Sequence, residues 1–248
     1  MMTMTFSDRK DHCLACTGTD IAPAYRKDQM TFDRCQSCGF VFMNPMIDEE
    51  SIAEFYRDYA GTGSYTKKAD KKMRRSRRRL RRLKRLVPGG TFLDIGCNAG
   101  FVVEAAREAG FDSYGIDLSS EGVAYGKENF PGCTFHNLPI EAAAEHLPKF
   151  DLVYSSEVIE HVLDLDSFLR HTADIMKPGG VLYLTTPDAG HWRTPKDLST
   201  WFGFKPPEHS IYFNRASLTH ALERFGLKIE KRYLSHKPGL KVLARKVG

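Results

Sequence analysis

The stretch LDIGCNAGF, Leu93 to Phe101, puts a carboxylate and two glycines where an apolar strand breaks into a helix. TFLDI (91–95) reads as the strand, and VVEAAREAG (102–110) has the spacing of an amphipathic helix. A glycine turn between them lets backbone approach a ligand and aims helix N–H groups at it. The same alternation continues downstream. DSYGID (112–117), CTFHN (133–137), DLVYSS (151–156) and GVLYLTT (180–186) read as strands. SEGVAYGKEN (120–129) and residues 140–146, 157–162, 166–176 and 215–226 read as helices. This order predicts an α/β protein with a doubly wound, mostly parallel sheet and ligands at the carboxyl ends of its strands.

Two ligand classes compete for the turn. A dinucleotide site needs Gly-x-Gly-x-x-Gly to meet a pyrophosphate, whereas here the order is Asp94-x-Gly96-x-x-x-Gly100. A carboxylate at the lip of the turn repels phosphate and attracts an ammonium or a sulfonium. S-adenosylmethionine carries both cations and no phosphate. Asn98 stands where another glycine is expected, and asparagine tolerates positive φ better than other side-chain-bearing residues. Asp117, 21 residues beyond Gly96, is spaced to accept hydrogen bonds from ribose hydroxyls.

Upstream, Cys13-x-x-Cys16 and Cys35-x-x-Cys38 are separated by 18 residues. Two such pairs each grip one side of a tetrahedral ion, so the spacing predicts a closed structural zinc site formed by Cys13, Cys16, Cys35 and Cys38. Thr17, Gly18 and Gly39 suit tight knuckle turns, and TFDRC before the second pair suits a short strand. Cys97 reads as a small turn filler and Cys133 as a core residue.

The net charge of +5 conceals a strong asymmetry, because residues 67–86 hold 13 Lys or Arg against one Asp and the rest of the chain is acidic. With no Gly or Pro between Lys67 and Val87, this run predicts a helix, and Met73, Leu80, Leu83 and Val87 form a narrow apolar seam along it. The seam is expected to dock while the basic faces stay solvated, open to nucleic acid or an anionic surface. No apolar run is long enough to span a bilayer, and no leader-like segment precedes the cysteines. The expectation is a cytoplasmic protein, with oligomeric state left open.

Taken together, LDIGCNAGF, YGIDLS (114–119), FDLVYSSEVIEHV (150–162), KPGGVLYLTTPD (177–188) and PEHSIYF (207–213) resemble the class I S-adenosylmethionine-dependent methyltransferases, within the ubiquinone-type group. The cysteine module running into CGFVFMNPMIDEESIAEFY (38–56) is similar to an N-terminal zinc-ribbon extension found in that family. The resemblance covers residues 70–248 and implies a seven-stranded sheet. It also implies S-adenosylmethionine as cofactor, and acceptors among sugars, lipids or secondary metabolites. By position, Asp94, Gly96, Gly100 and Phe101 with the backbone of Cys97 and Asn98 would shape the methionine end of the pocket. Asp117 would take the ribose diol, Leu118 the adenine face, Asn137 and Leu138 the adenine edge. Ser156 and Glu157 would face the methionine end or the acceptor.

The expected organisation is a four-cysteine module at 1–48, a helical linker at 49–88 and a methyltransferase domain at 89–248. Residues 189–214, rich in aromatics, are read as a lid or acceptor loop. His209 is the first candidate for a general base. Glu157 and His161, four apart on the helix expected there, pair as acid and base or as a structural hydrogen bond. The favoured function is methyl transfer to a small molecule. The alternatives are RNA methylation, with ribbon and basic helix as docking surface, and a non-catalytic binding module.

Overall fold

The computed structural model describes residues 4–59 and 68–248, and the side chains of 4–55 and 68–248. The chain forms two compact units. One comprises Met1–Ala60, Glu157–Leu169 and Leu184–Val242, the other Gly61–Ser156, Arg170–Tyr183 and Leu243–Gly248. Neither unit is a continuous stretch, so the cysteine module shares its unit with segments far along the chain.

In the first unit, β1 (Ile21–Lys27) and β2 (Met30–Cys35) form a hairpin closed by Asp28-Gln29, with Asp28 at φ 54°. Aspartate tolerates that left-handed conformation because its short polar side chain bonds locally. β3 (Val41–Met43) and the later β9 (Ile211–Tyr212) complete an antiparallel four-stranded sheet in the order β1-β2-β3-β9. Aromatics make its core. Phe32 meets Phe204 edge-on at 4.9 Å between centroids, Phe40 lies 4.9 Å from Phe213, and Phe204 stacks on Tyr212 at 5.1 Å. Such ring pairs add about 0.5–1.5 kcal/mol beyond their area burial.

The larger sheet has the order β10-β11-β8-β7-β4-β5-β6. In its interior, β4 (Gly90–Ile95) is parallel to β5 (Phe111–Ile116) on one side and to β7 (Phe150–Ser156) on the other. β6 (Thr134–His136) lies parallel beyond β5, and β8 is Met176–Thr186. β10 (Leu227–Arg232) and β11 (Leu240–Lys246) are strands that the expected order of elements did not assign. Phe92, Leu93, Asp94 and Ile95 are all buried, because a central parallel strand is covered on both faces and loses the in–out alternation of an edge. The strand order reverses at β4, the place where open parallel sheets receive ligands beyond their carboxyl ends. Gly96 to Gly100 occupy that point.

The helices follow the expected positions closely at Phe101–Glu108 (α3), Ser120–Asn129 (α4), Ile140–His146 (α5), Leu165–Ile175 (α6) and Arg215–Glu223 (α7); α1 spans Glu49–Tyr59. The basic helix α2 is described over Ala69–Leu83, and Lys67 lies outside the described residues. Leu80 and Leu83 are fully buried, each contributing about 1.5–3 kcal/mol. Ser76 joins them on the buried face, whereas Met73 and Val87 are only half-buried. Arg77 forms a two-pronged pair with Glu108 at 2.6 Å, and the Arg79 guanidinium lies over the stacked rings of Tyr154 and Tyr183. Arg74, Arg75, Arg78, Arg81 and Arg82 are exposed.

One local expectation is overturned. Residues 157–162 are not an α-helix. Glu157 sits at φ 58°, its N–H bonded to the carbonyl of Thr185, and only Ile159–His161 form a single 3-10 turn. A residue in the left-handed region cannot continue a right-handed helix, so Glu157 and His161 do not share a helical face.

Candidate active site

The turn after β4 is shaped by backbone conformation. Gly96, Asn98 and Gly100 have φ of 74°, 49° and 79°. Asn98 thus takes the left-handed conformation expected of it, and its side chain accepts from the N–H of Ala99 at 2.7 Å. The helix α4 comes very close: a Cβ at Gly122 would lie 3.0 Å from the Asn98 carbonyl carbon. Only glycine permits that approach, which sets the N-terminus of α4 against the turn.

Asp117 ties the two elements together. One carboxylate oxygen accepts from the Asn98 N–H at 2.7 Å and the other from the Ser119 N–H at 2.8 Å. Asn137 donates to the Asp117 carbonyl at 2.8 Å. Asp117 is half-buried, so the outer lone pairs of its carboxylate remain available to a ligand's hydroxyls. Leu118 beside it is 75% exposed, an apolar surface for a flat ring. Leu138 is half-buried, Asn137 exposed, and Phe101 opens α3 with its ring against Phe130 and Tyr125.

Asp94 corrects an expectation. It lies not at the lip of the turn but buried, 3% exposed. Burial and the nearby Asp117 carboxylate hold its pKa well above the usual range, and the Arg79 guanidinium offsets them only in part. Two carboxylates so short of cation suit a positively charged ligand. Cys97 is buried, and desolvation with the field of Asp94 raises its thiol far above the ordinary value, so it fills space rather than reacts. Cys133 is half-buried just before β6, its thiol 3.4 Å from a Glu104 carboxylate oxygen.

The four ribbon cysteines converge. Cys13 and Cys38 sulfurs are 3.6 Å apart, as are those of Cys16 and Cys35, and all four lie within 4.8 Å of one another. Bonds of about 2.3 Å around a tetrahedral zinc put sulfurs about 3.8 Å apart, so the donor set fits that ion. Thr17 and Gly39 supply the knuckle turns at φ 61° and 72°. Asn214, which caps α7, donates to the Cys38 carbonyl at 2.8 Å.

A second cluster gathers Glu160, His161 and His209, each offering a donor atom within 4.8 Å of the others. The two imidazoles meet edge-on at 4.7 Å. His161 Nδ1 bonds the Glu208 carbonyl at 2.8 Å and His209 Nδ1 the Gly203 carbonyl at 3.1 Å. A carbonyl only accepts, so both Nδ1 atoms carry the proton and both Nε2 atoms the lone pair. Burial, then the neighbouring His161, holds His209 down to about 4. Glu160 is 1% exposed; burial and the Glu157 carboxylate push it up to about 8. Glu157 itself is exposed and accepts from the Thr185 hydroxyl at 2.9 Å. Ser156, half-buried, ends β7.

The methyltransferase-domain family matches residues 65–232. The chain belongs to that family. Ubiquinone biosynthesis O-methyltransferases of Brucella ovis and Sinorhizobium medicae are each 34% identical to this chain, over 106 and 98 residues. The matches cover 41% and 38% of the chain, and the chain spans 43% and 40% of those relatives' length. Among solved structures, magnesium protoporphyrin IX methyltransferase from Synechocystis PCC 6803 with bound SAH superimposes with a TM-score of 0.59 at 17% identity, covering 80% of this chain and 100% of that one. The 1,6-didemethyltoxoflavin-N1-methyltransferase of Burkholderia thailandensis also reaches 0.59, at 15% identity, covering 91% and 99%. The fold is that of the class I methyltransferases.

The aromatics of 189–214 divide differently from the expected lid. Trp201, Phe204, Tyr212 and Phe213 are at most 4% exposed, and Phe204, Tyr212 and Phe213 are core of the four-stranded sheet. Trp192 and Phe202 are 75% and 79% exposed. Glu160, buried beside His161 and His209, is a residue that sequence reasoning did not single out. Its signal was the second acid of SSEVIEHV, hidden by reading that segment as a regular helix.

Proposed function

We propose that this chain transfers the methyl group of S-adenosylmethionine to a hydroxyl oxygen of a small-molecule acceptor, and that its four N-terminal cysteines hold a structural zinc. The observation that carries the cofactor reading is the pair of carboxylates at the glycine turn, Asp94 buried and under-compensated, Asp117 fixed by two backbone N–H groups. When bound, S-adenosylmethionine supplies an activated methyl on a sulfonium, whose C–S bond breaks as the new O–C bond forms.

The residues divide the work. Asp94 neutralises the cationic methionine end, with Gly96, Cys97, Asn98, Gly100 and Phe101 shaping its pocket. Asp117 accepts from the ribose diol, Leu118 covers the adenine, and Asn137 with Leu138 borders its edge. Ser156 and Glu157 end the strand where an acceptor would be received. The hydroxyl proton has to leave as the oxygen is methylated, and His209, His161 and Glu157 are the groups proposed to receive or relay it. Oxygen as acceptor is supported by the names of the 34% identical relatives. Four thiolates leave zinc no open position, so the ion stabilises the ribbon and takes no part in the chemistry.

The test is calorimetry with S-adenosylmethionine, followed by release of S-adenosylhomocysteine in the presence of hydroxylated aromatic, sugar and lipid acceptors. Saturable binding with turnover on one acceptor class is expected. Binding without turnover on any of them refutes the catalytic reading, and absence of binding refutes the cofactor reading.

A further inference from the structure

The outer face of α2 carries a charge pattern that the fold does not use. Its inner face is fixed by Leu80 and Leu83, at most 2% exposed, by the two-pronged pair of Arg77 with Glu108, and by Arg79 over Tyr154 and Tyr183. Lys71, Arg74, Arg75, Arg78, Arg81 and Arg82 are all exposed. At about 100° per residue they fall within an arc of about 120°, so they form one outward strip. Among the described residues none of the six is in an ion pair. Lys71 with Arg75, Arg74 with Arg78 and Arg78 with Arg82 are like charges four residues apart, a spacing that destabilises a helix. A strip of repelling cations that packs against nothing calls for a partner of opposite charge.

Spacing and shape identify that partner. From Lys71 to Arg82 the helix axis rises about 16 Å, which gives one cation for about every 3 Å. One strand of a nucleic-acid duplex carries a phosphate for about every 3.4 Å. Five of the six cations are arginines, whose guanidinium fork grips phosphate oxygens in pairs. The strip is a line rather than a plane, because the neighbouring α3 carries the acids Glu104 and Glu108. A line of charge suits a rod-like polyanion better than a sheet of lipid head groups. A helix lying in a lipid surface also turns its apolar side chains outward, whereas Leu80 and Leu83 turn inward. No aromatic side chain lies in α2, so the bases of a single strand have nothing there to stack on. Seated on α3, α2 stands clear by roughly its radius, about 5–6 Å with side chains. That is too little to reach the floor of the DNA major groove, about 8.5 Å deep, and enough to lie on the wide, shallow minor groove of A-form RNA. We infer that this strip docks double-stranded RNA by its backbone, through charge and shape rather than sequence. The surface goes beyond the methyl-transfer reading and does not rest on it.

The test is fluorescence anisotropy of the full chain with a labelled RNA duplex of about 20 base pairs, long enough to present two minor grooves. A DNA duplex of the same sequence, the single RNA strand and phosphatidylserine vesicles serve as competitors. The RNA duplex should bind most tightly, with affinity falling about a thousandfold between about 50 and 200 mM salt, as for about six phosphate contacts. Combining Arg74→Gln, Arg78→Gln and Arg82→Gln removes half of the strip with a residue that keeps the helix. That variant should bind at least tenfold more weakly, with about half the salt slope. Combining Lys228→Gln, Lys231→Gln and Arg232→Gln removes the same charge from exposed cations elsewhere and should leave binding at the parent level. No saturable RNA binding by the parent overturns the inference. So does an equal loss in the two variants, or tighter binding of the DNA duplex, the single strand or the vesicles. If the strip variant has lost its circular dichroism, cross-linking of the parent to the RNA duplex decides: adducts on peptides from residues 69–85 support the surface, and adducts elsewhere overturn it.

Discussion

Removing the Asp117 carboxylate tests the cofactor site most directly. This group accepts two backbone N–H bonds, from Asn98 at 2.7 Å and Ser119 at 2.8 Å, and is half-buried, so it has lone pairs left for a ligand. With a ribose diol bound, it gains two more donors. Hydrogen bonds to a charged group contribute about 1.5–3 kcal/mol each, so Asp117→Ala should lose about 3–4 kcal/mol of binding, several hundredfold in Kd. The same change leaves two amides to water, which lowers stability by about 1–2 kcal/mol. Asp117→Asn keeps the shape but turns an NH2 toward an N–H, so it should bind nearly as poorly. Titration calorimetry with S-adenosylmethionine and with S-adenosylhomocysteine reads the loss, and a denaturant melt reads the stability. Because the diol is common to both ligands, both should weaken alike. A folded Asp117→Ala chain whose affinity lies within threefold of the parent refutes the assignment.

Cofactor affinity should also depend on pH through Asp94. Its free-site pKa is raised, and a cationic ligand lowers it, so binding releases a proton and affinity climbs with pH until the raised pKa is passed. Calorimetry in buffers of different ionisation enthalpy should show that release, and Asp94→Asn should abolish it; a pH-independent Kd in the parent contradicts the electrostatic account. Gly122→Ala should push α4 off the Asn98 backbone, which its Cβ would approach to 3.0 Å; a stability loss of about 1–3 kcal/mol and at least tenfold weaker cofactor binding are expected, and a neutral phenotype in both would show that the close approach does not matter. Metal analysis should find one zinc bound by the four cysteines per chain, and chelation should make the ribbon protease-sensitive while calorimetry still detects cofactor binding. Zinc-free protein with a protease-resistant ribbon would remove the metal from the account.

The glycine turn was legible because its physics is local. Gly96 and Gly100 permit positive φ, Asn98 tolerates it, and the flanking strand and helix declare themselves by period. The cysteine pairs were legible for the same reason, since C-x-x-C spacing is a geometric constraint within one knuckle. Glu160 was hidden by one residue, Glu157, whose left-handed φ breaks the helical period that the segment's pattern suggests. No residue type in SSEVIEHV announces that break. It is stabilised by the bond from the Glu157 N–H to Thr185, 28 residues away.

The sequence by itself determined the α/β alternation, the ligand-bearing turn and the metal-binding spacing, because each depends on groups close together along the chain, the widest being Cys13 and Cys38, 25 residues apart. Only the tertiary structure decided what the aromatics of 189–214 are for. Phe204 and Tyr212 pack on Phe32, more than 170 residues earlier, and composition cannot distinguish a ring that lines a pocket from one that fills a core. It likewise decided that Asp94 is buried and that His161 and His209 lie beside Glu160. Burial and convergence are properties of distant segments brought together, and they set the charge states on which the chemistry depends.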